Sequence, residues 1–247
     1  MSRRPKSPPP PGRIWLYGQH AVAAALANPD RPCYRVLASE AMLADIASAA
    51  RARAITPELV PPDRLARLLP PDAAHQGLAA AVGPLPEREP SELGEDAAAR
   101  SLVLALDQVN DPRNLGAILR TAAALGVEAV ILPQRRSAEL AGACAKAASG
   151  ALDLVPIVEV VNLARTLAEL KKRGYWVVGL DAAGASALET LDLPARVVLV
   201  LGSEGEGLRR LVTEECDHLA RLEIDPRMES LNVSVAAGIA LYLLARR

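Results

Sequence analysis

The chain has 247 residues, 51% of them hydrophobic and 2% aromatic with no Phe, and 28 Lys and Arg stand against 29 Asp and Glu. That length and apolar content suffice for one large domain or two smaller ones, while a formal net charge of −1 provides no global field for a polyanion, so nucleic-acid binding has to rely on local basic patches. No apolar run reaches the roughly 18–20 residues of a membrane helix, the N-terminal MSRRPKSPPPPG lacks a secretory apolar stretch, and Cys33, Cys144 and Cys216 form no CxxC pair; a cytoplasmic protein with reduced thiols, no disulfide framework and no metal site is expected.

In chain order, residues 1–13 are a basic, Pro-rich tail that cannot bury apolar area and is expected to be disordered. IWLYGQHAVAAALAN reads as a short apolar entry, a turn at Gly18 and a helix ending before Pro29. A strand (CYRVLAS), a helix (EAMLADIASAARARA), a proline-opened short helix (PPDRLARLLP) and a strand (GLAAAVG) complete an α/β unit over 14–85. Residues 86–100, rich in Pro and Glu, form the expected linker. From 101 to 247 apolar strands alternate with helices: SLVLAL, LGAILRTAAAL, EAVILP, SAELAGACAKAAS, LVPIVEV, NLARTLAELKKRG, YWVVGL, RVVLVLG and SVAAGIALYLLARR. Continuously apolar strands separated by helices predict a parallel sheet covered on both faces. The basic excess lies at the N-terminal end, with 10 Lys and Arg against 6 Asp and Glu in residues 1–85, 2 against 5 in 86–100, and 16 against 18 in the remainder.

Ligands of open α/β sheets bind beyond the carboxyl ends of the strands, and three such ends are unusual. NDPRNLGAILR follows SLVLAL and loads a strand mouth with polar groups; LGSEGEG ends an apolar strand; RMESLNVSVAAG leads into the last helix. Gly202, Gly205 and Gly207 permit close backbone approach to a ligand, but in the order G-x-x-G-x-G rather than that of a dinucleotide site, and Glu204 and Glu206 repel a pyrophosphate. This strand end therefore suits a ligand with positive charge or hydroxyl and amine donors, or is a tight turn with an acidic rim. Taken alone, Ser230 or Asn232 is a helix cap. Arg120 is flanked at helical spacing by Gly116, Ala117, Ala123 and Ala124, which leave room for a guanidinium to lie along its helix.

Together and in this order, the three segments resemble the signature motifs of the SpoU/TrmH family of RNA ribose 2′-O-methyltransferases, within the SPOUT superfamily. YGQHAVAAAL and HQGLAAAV resemble the small RNA-binding domain of members that modify ribosomal RNA, so the likeness spans roughly residues 14–247. The resemblance implies an α/β SPOUT-type parallel sheet with a C-terminal trefoil knot and S-adenosylmethionine as methyl donor, bound at positions matching Gly202, Ile224 and Leu231. It also implies a homodimer, and active-site roles for Asn114, Arg120, Glu204, Ser230 and Asn232. The segment DPRME between Ile224 and Ser230 is shorter than the loop family members often carry. The expected substrate is large-subunit ribosomal RNA, at a guanosine; transfer RNA, or a non-catalytic RNA-binding assembly factor of the same fold, are the alternatives.

Overall fold

The computed structural model describes residues 14–71, 73–94, 100–203 and 205–246; the expected tail at 1–13, and Glu204, lie outside them. Two compact units emerge, one of the residues up to Pro86 with Glu139–Leu154, the other of Glu87–Ala138 with Val155 onward.

The N-terminal part of the first unit runs β1 (Ile14–Tyr17), α1 (Gln19–Ala27), β2 (Cys33–Ala38), α2 (Glu40–Ala52), β3 (Glu58–Leu59), α3 (Pro62–Leu68) and β4 (Leu78–Val82). Its sheet has the order β1-β4-β2-β3, with β4 antiparallel to both β1 and β2. The apolar entry expected before Gly18 is thus a sheet strand. Pro62 sits in the first turn of α3, where its missing N–H costs no helical hydrogen bond. Tyr17, Leu37, Val60, Leu65, Leu69 and Ala79 form the core.

The chain continues with β5 (Ser101–Leu106), α4 (Pro112–Ala124), β6 (Ala129–Pro133), α5 (Gly142–Ala148), β7 (Ile157–Val160), α6 (Leu163–Lys172), β8 (Trp176–Leu180), β9 (Ser186–Ala187), β10 (Arg196–Leu201), α7 (Arg210–Glu215), β11 (His218–Arg221) and α8 (Val233–Ala245). Seven strands pair in parallel in the order β7-β6-β5-β10-β8-β11-β9. Every residue of β5 and β6 is buried, as a parallel sheet covered on both faces requires. Val103, Ala105, Ile131, Val158 and Val200 pack with Leu163, Leu167 and Leu170 of α6 and Val212 of α7. Leu115, Gly116, Ile118, Leu119 and Ala122 are the buried residues of α4, which packs on α8 with Gly238 opposite Thr121. Ser137–Leu140, expected to be helical, precede a shorter α5; the strands β3, β9 and β11 and the helix α7 have no counterpart in the sequence expectation. No helix among the described residues is long and apolar enough to cross a membrane.

At the amino ends of the strands, two arginines strap residues 90–94 to the sheet. Arg173 donates to the carbonyls of Pro90 and Leu93, and Arg196 donates to those of Gly94 and Arg173, both at 2.9 Å. A Cβ at Gly94 would lie 1.8 Å from an Arg196 nitrogen, and Gly94 has φ +61°, so glycine fits this point on two counts.

In the first unit, α5 and the 3-10 turn after it join the N-terminal elements through a buried ion pair. Arg31 Nη1 lies 3.0 Å from Asp153 Oδ2, with side-chain exposures of 0% and 1%. Asn28 Nδ2 donates to Asp153 Oδ1 at 3.1 Å and Arg31 Nε to the Gly83 carbonyl at 3.3 Å. Removing one partner of such a pair strands the other charge without water. Asp153→Ala is therefore expected to lower unfolding free energy by about 3 kcal/mol, whereas the double change Arg31→Met with Asp153→Leu costs well under about half of that. Urea denaturation of the two variants measures the difference; equal losses would mean that the charges are not the source.

Candidate functional site

Parallel pairing sets β5 and β10 side by side, with Leu106 opposite Leu201 and the N–H of Asp107 donating to the Leu201 carbonyl at 2.7 Å. The two sequences that leave these strands therefore start as neighbours. On the β5 side, Asp111 is the N-cap of α4: its Oδ1 accepts from the N–H groups of Arg113 (2.7 Å) and Asn114 (2.9 Å), and Pro112 occupies the first turn. The polar crowding at this strand mouth is thus partly a helix cap of the usual kind. On the β10 side the chain folds back, with Ser203 N–H donating to the Gly207 carbonyl at 3.2 Å and Gly207 N–H to the Ser203 carbonyl at 3.1 Å. A Cβ at Gly202 would lie 2.2 Å from the Gly207 carbonyl carbon. Glycine at 202 serves the loop's packing on itself, a different reason from the close ligand approach expected of it.

Beyond β10, β8 and β11 opens a cleft of about 690 Å³ whose walls include Gly202, Ile224, Ser230, Leu231 and Asn232. That volume is in the range of small-molecule sites. Leu180, Leu201 and Leu222 add apolar wall, and the carboxylates are Asp181, Glu206 and Glu229. Backbone polar groups, apolar surface and negative charge converge there, a donor set that accepts a flat heteroaromatic ring and a cation and disfavours phosphate.

Among the described residues, a hydrogen bond joins the cleft to the first motif. Asn232 Nδ2 donates to Asn114 Oδ1 at 3.1 Å, joining residues 118 apart in sequence. Asn232 Oδ1 also accepts from Ser234 N–H (2.9 Å) and Ser234 Oγ (2.6 Å), so it caps α8 as well as holding Asn114. Asn232, read in sequence as a cap or a site residue, caps α8 and lines the cleft. Of the residues singled out, Gly202, Ile224, Leu231, Ser230 and Asn232 line the cleft and Asn114 touches it through Asn232; Glu204 lies outside the described residues. Arg120 is exposed and does not line the cleft. Six residues along an α-helix correspond to a turn of about 120°, so Arg120 and Asn114 look out from different faces of α4. Gly116 is buried, and its small size also serves the packing of α4.

Sequence reasoning passed over Asp107 and Arg209. Asp107 is fully buried at the end of β5, and its carboxylate receives Arg209 three times: the N–H at 2.9 Å, Nε at 2.7 Å and Nη2 at 2.6 Å. This charge-assisted fork closes the 202–208 loop against the start of the first motif. The only signal in sequence is a lone acidic residue ending the run SLVLAL. Burial pushes the thiols of Cys144 and Cys216 up to about 12, so both are protonated at neutral pH.

A sequence profile described as the SpoU rRNA Methylase family matches residues 101–242, and one described as RNA 2′-O ribose methyltransferase substrate binding matches residues 15–88. The chain is 42% identical over 240 residues to a 23S rRNA (guanosine-2′-O-)-methyltransferase RlmB of Xylella fastidiosa, covering 94% of this chain and 96% of that one. It is 49% identical over 179 residues to the protein of that name from Pseudomonas aeruginosa, covering 71% and 72%. Among solved structures, the AdoMet-bound rRNA methyltransferase from Sinorhizobium meliloti superposes with a TM-score of 0.81 at 25% identity over 95% of this chain and 87% of that chain.

The clamp on Arg209 yields an expectation. Asp107→Asn keeps the shape of the side chain and removes its charge. Because Arg209 is 46% exposed and can hydrate, the stability cost should be about 2 kcal/mol rather than the larger loss of a fully buried pair. With its closing contact weakened, the loop should bind S-adenosylmethionine roughly tenfold less well, a loss equal to about 1.4 kcal/mol. Calorimetric titration of the folded variant checks this, and unchanged donor affinity would separate the clamp from the cleft.

Proposed function

Because the chain belongs to the SpoU rRNA Methylase family, an enzyme family of RNA methyltransferases, we propose that it methylates the 2′-hydroxyl of a guanosine ribose in 23S ribosomal RNA. The observation that carries this reading is the Asn114–Asn232 hydrogen bond, which joins the first motif to the rim of the cleft. The family description and the relatives' names favour ribosomal RNA over transfer RNA, and a ribosomal RNA substrate makes the cytoplasm the place of action.

S-adenosylmethionine, when bound, supplies an electrophilic methyl whose leaving group is a neutral thioether. The cleft suits it: Leu201, Leu222, Ile224 and Leu231 give an apolar bed for the adenine, backbone of the 202–207 loop offers hydrogen bonds, and Asp181, Glu206 and Glu229 favour a sulfonium over a phosphate. The protein's task is alignment of the acceptor oxygen and help with its proton. Asn114 and Asn232 orient the acceptor ribose at the cleft rim, with Ser230 beside them and Glu204 contributing from the second motif. Arg120 anchors the adjacent phosphate and polarises the hydroxyl; a guanidinium, which holds its protons, suits that role better than proton removal.

The outward direction of Arg120 supports a homodimer. On α8, Val235, Ile239 and Tyr242 are 50%, 42% and 51% exposed and recur at i, i+4 and i+7, an apolar stripe that a second copy would cover. A site shared between copies lets Arg120 serve the partner's cleft. A C-terminal trefoil knot fits the tight crossing of the chain around β11, where a Cβ at Gly184 would lie 2.5 Å from the Ala220 carbonyl carbon and Arg221 Nη1 donates to the Gly184 carbonyl at 3.0 Å.

Single-turnover methylation of protein-free 23S ribosomal RNA tests the activity. Arg120→Lys should slow methyl transfer by roughly 10²-fold, the scale of one lost preorganised contact to a transition state, with donor affinity and melting temperature nearly unchanged; near-normal turnover would return Arg120 to the solvent. Ile239→Asp should give a monomer in sedimentation and abolish turnover while preserving the fold. A dimeric variant would move the interface away from α8.

A further inference from the structure

We infer that the carboxyl edge of the catalytic sheet carries its own track for an RNA backbone, formed by Arg113, Arg135 and Arg136 and leading to Arg120. The inference rests on the RNA-methyltransferase reading above and adds a recognition surface outside the N-terminal unit, where the basic surplus of the sequence lies.

The order β6-β5-β10 sets this surface. Asn114 follows β5, the cleft lies on the β10 side, and the loop after β6 lies on the other side. That loop is fixed: Gln134 N–H donates to the Val160 carbonyl at 2.9 Å, Ser137 Oγ to the Pro133 carbonyl at 2.8 Å, and Ala138 N–H to the Val109 carbonyl at 3.3 Å. The last bond ties it directly to the loop that leads into α4. Arg136 has φ +61°, a left-handed conformation uncommon for a residue with a side chain. Arg135 and Arg136 are exposed, as is Arg113, which shares a face of α4 with Arg120: seven residues bring the helix round to within about 20° at an axial distance of about 10.5 Å.

Among the described residues, none of these four guanidinium groups has a carboxylate partner. Other arginines of this unit do: Arg165 pairs with Glu169, Arg221 with Glu223, Arg227 with Asp225 and Arg209 with Asp107. Asp111, the one acidic residue between Asp107 and Glu128, turns its carboxylate onto N–H groups of α4. The edge is thus divided by sign, with carboxylates Asp181, Glu206 and Glu229 on the cleft side and uncompensated arginines on the other. A polyanion is repelled from the first half and held by the second, and guanidinium forks match phosphate oxygens in charge and shape. A backbone held along β6 and the Arg113 face of α4 is led to Arg120, and so to the cleft that Arg120 serves.

The test is binding of the full-length protein to a protein-free 23S ribosomal RNA transcript across a salt series. In the triple variant Arg113→Gln, Arg135→Gln, Arg136→Gln the dissociation constant should rise roughly 10- to 100-fold at 0.1 M salt, and the slope of log affinity against log salt should shrink by about 2, since each phosphate contact contributes about 0.7 to 0.9. The corresponding triple change to Lys keeps the charge and should keep the slope. Should the Gln triple variant not fold, the loop pair Arg135→Gln with Arg136→Gln should still reduce the slope by more than about 1. Unchanged affinity and slope in a folded, donor-binding Gln variant would overturn the track. A wild-type protein that shows the arginine-dependent slope yet transfers no methyl leaves the track standing and removes the assigned reaction; one that does not bind the transcript removes both.

Discussion

Six consecutive residue pairs, from Ser101 with Arg196 to Leu106 with Leu201, hold β5 and β10 in parallel register. The rest of the catalytic unit depends on that register. It delivers the first and second motifs to adjacent points on one edge and brings Asp107 within reach of Arg209. A slip of one residue would turn each side chain to the opposite face of the sheet, misfit its packing there and separate the clamp. The packing of Val103, Ala105 and Val200 on one face of the sheet thus fixes the site's geometry as well as the core.

The net charge of the chain conceals how its charges are used. Many arginines serve internal ends: Arg31 neutralises Asp153, Arg173 and Arg196 hold backbone carbonyls, and Arg209 closes a loop. The guanidinium groups of Arg31 and Arg209, paired with Asp153 and Asp107, contribute little to an external field. What a passing polyanion meets is the remainder, and a chain of nearly zero net charge can still present a strongly signed edge.

Long buried strands and the helices α4, α6 and α8 were legible in the sequence because apolar runs and helical periodicity report burial directly. β11 was not: of His218–Arg221 only Ala220 is buried, and the strand owes its place to hydrogen bonding with β8 and β9 rather than to apolar character. α7, with six residues, is too short for a periodic signal. Residues lining the cleft were found through the order of three motifs, whereas Asp107 was missed because one acidic residue after an apolar run looks like the beginning of any loop. The facing of Arg120 depends on which side of α4 meets the sheet and which meets α8. Periodicity marks the buried side through Leu115, Ile118, Leu119 and Ala122, but the position of α8 is a tertiary fact.

Asn232 caps the last helix and holds Asn114 through the same amide, so completing the fold and completing the site are a single event. Its place near the end of the chain gives that event a time. Asn114 leaves the peptidyl-transferase centre 118 residues before Asn232, an interval of roughly 6 to 24 s at synthesis rates of about 5–20 residues per second. During that interval the Asn232 amide that holds Asn114 has not yet been made. A nascent chain near a ribosome, surrounded by RNA, carries a cleft rim without its Asn114–Asn232 contact until its final helix has been made and docked.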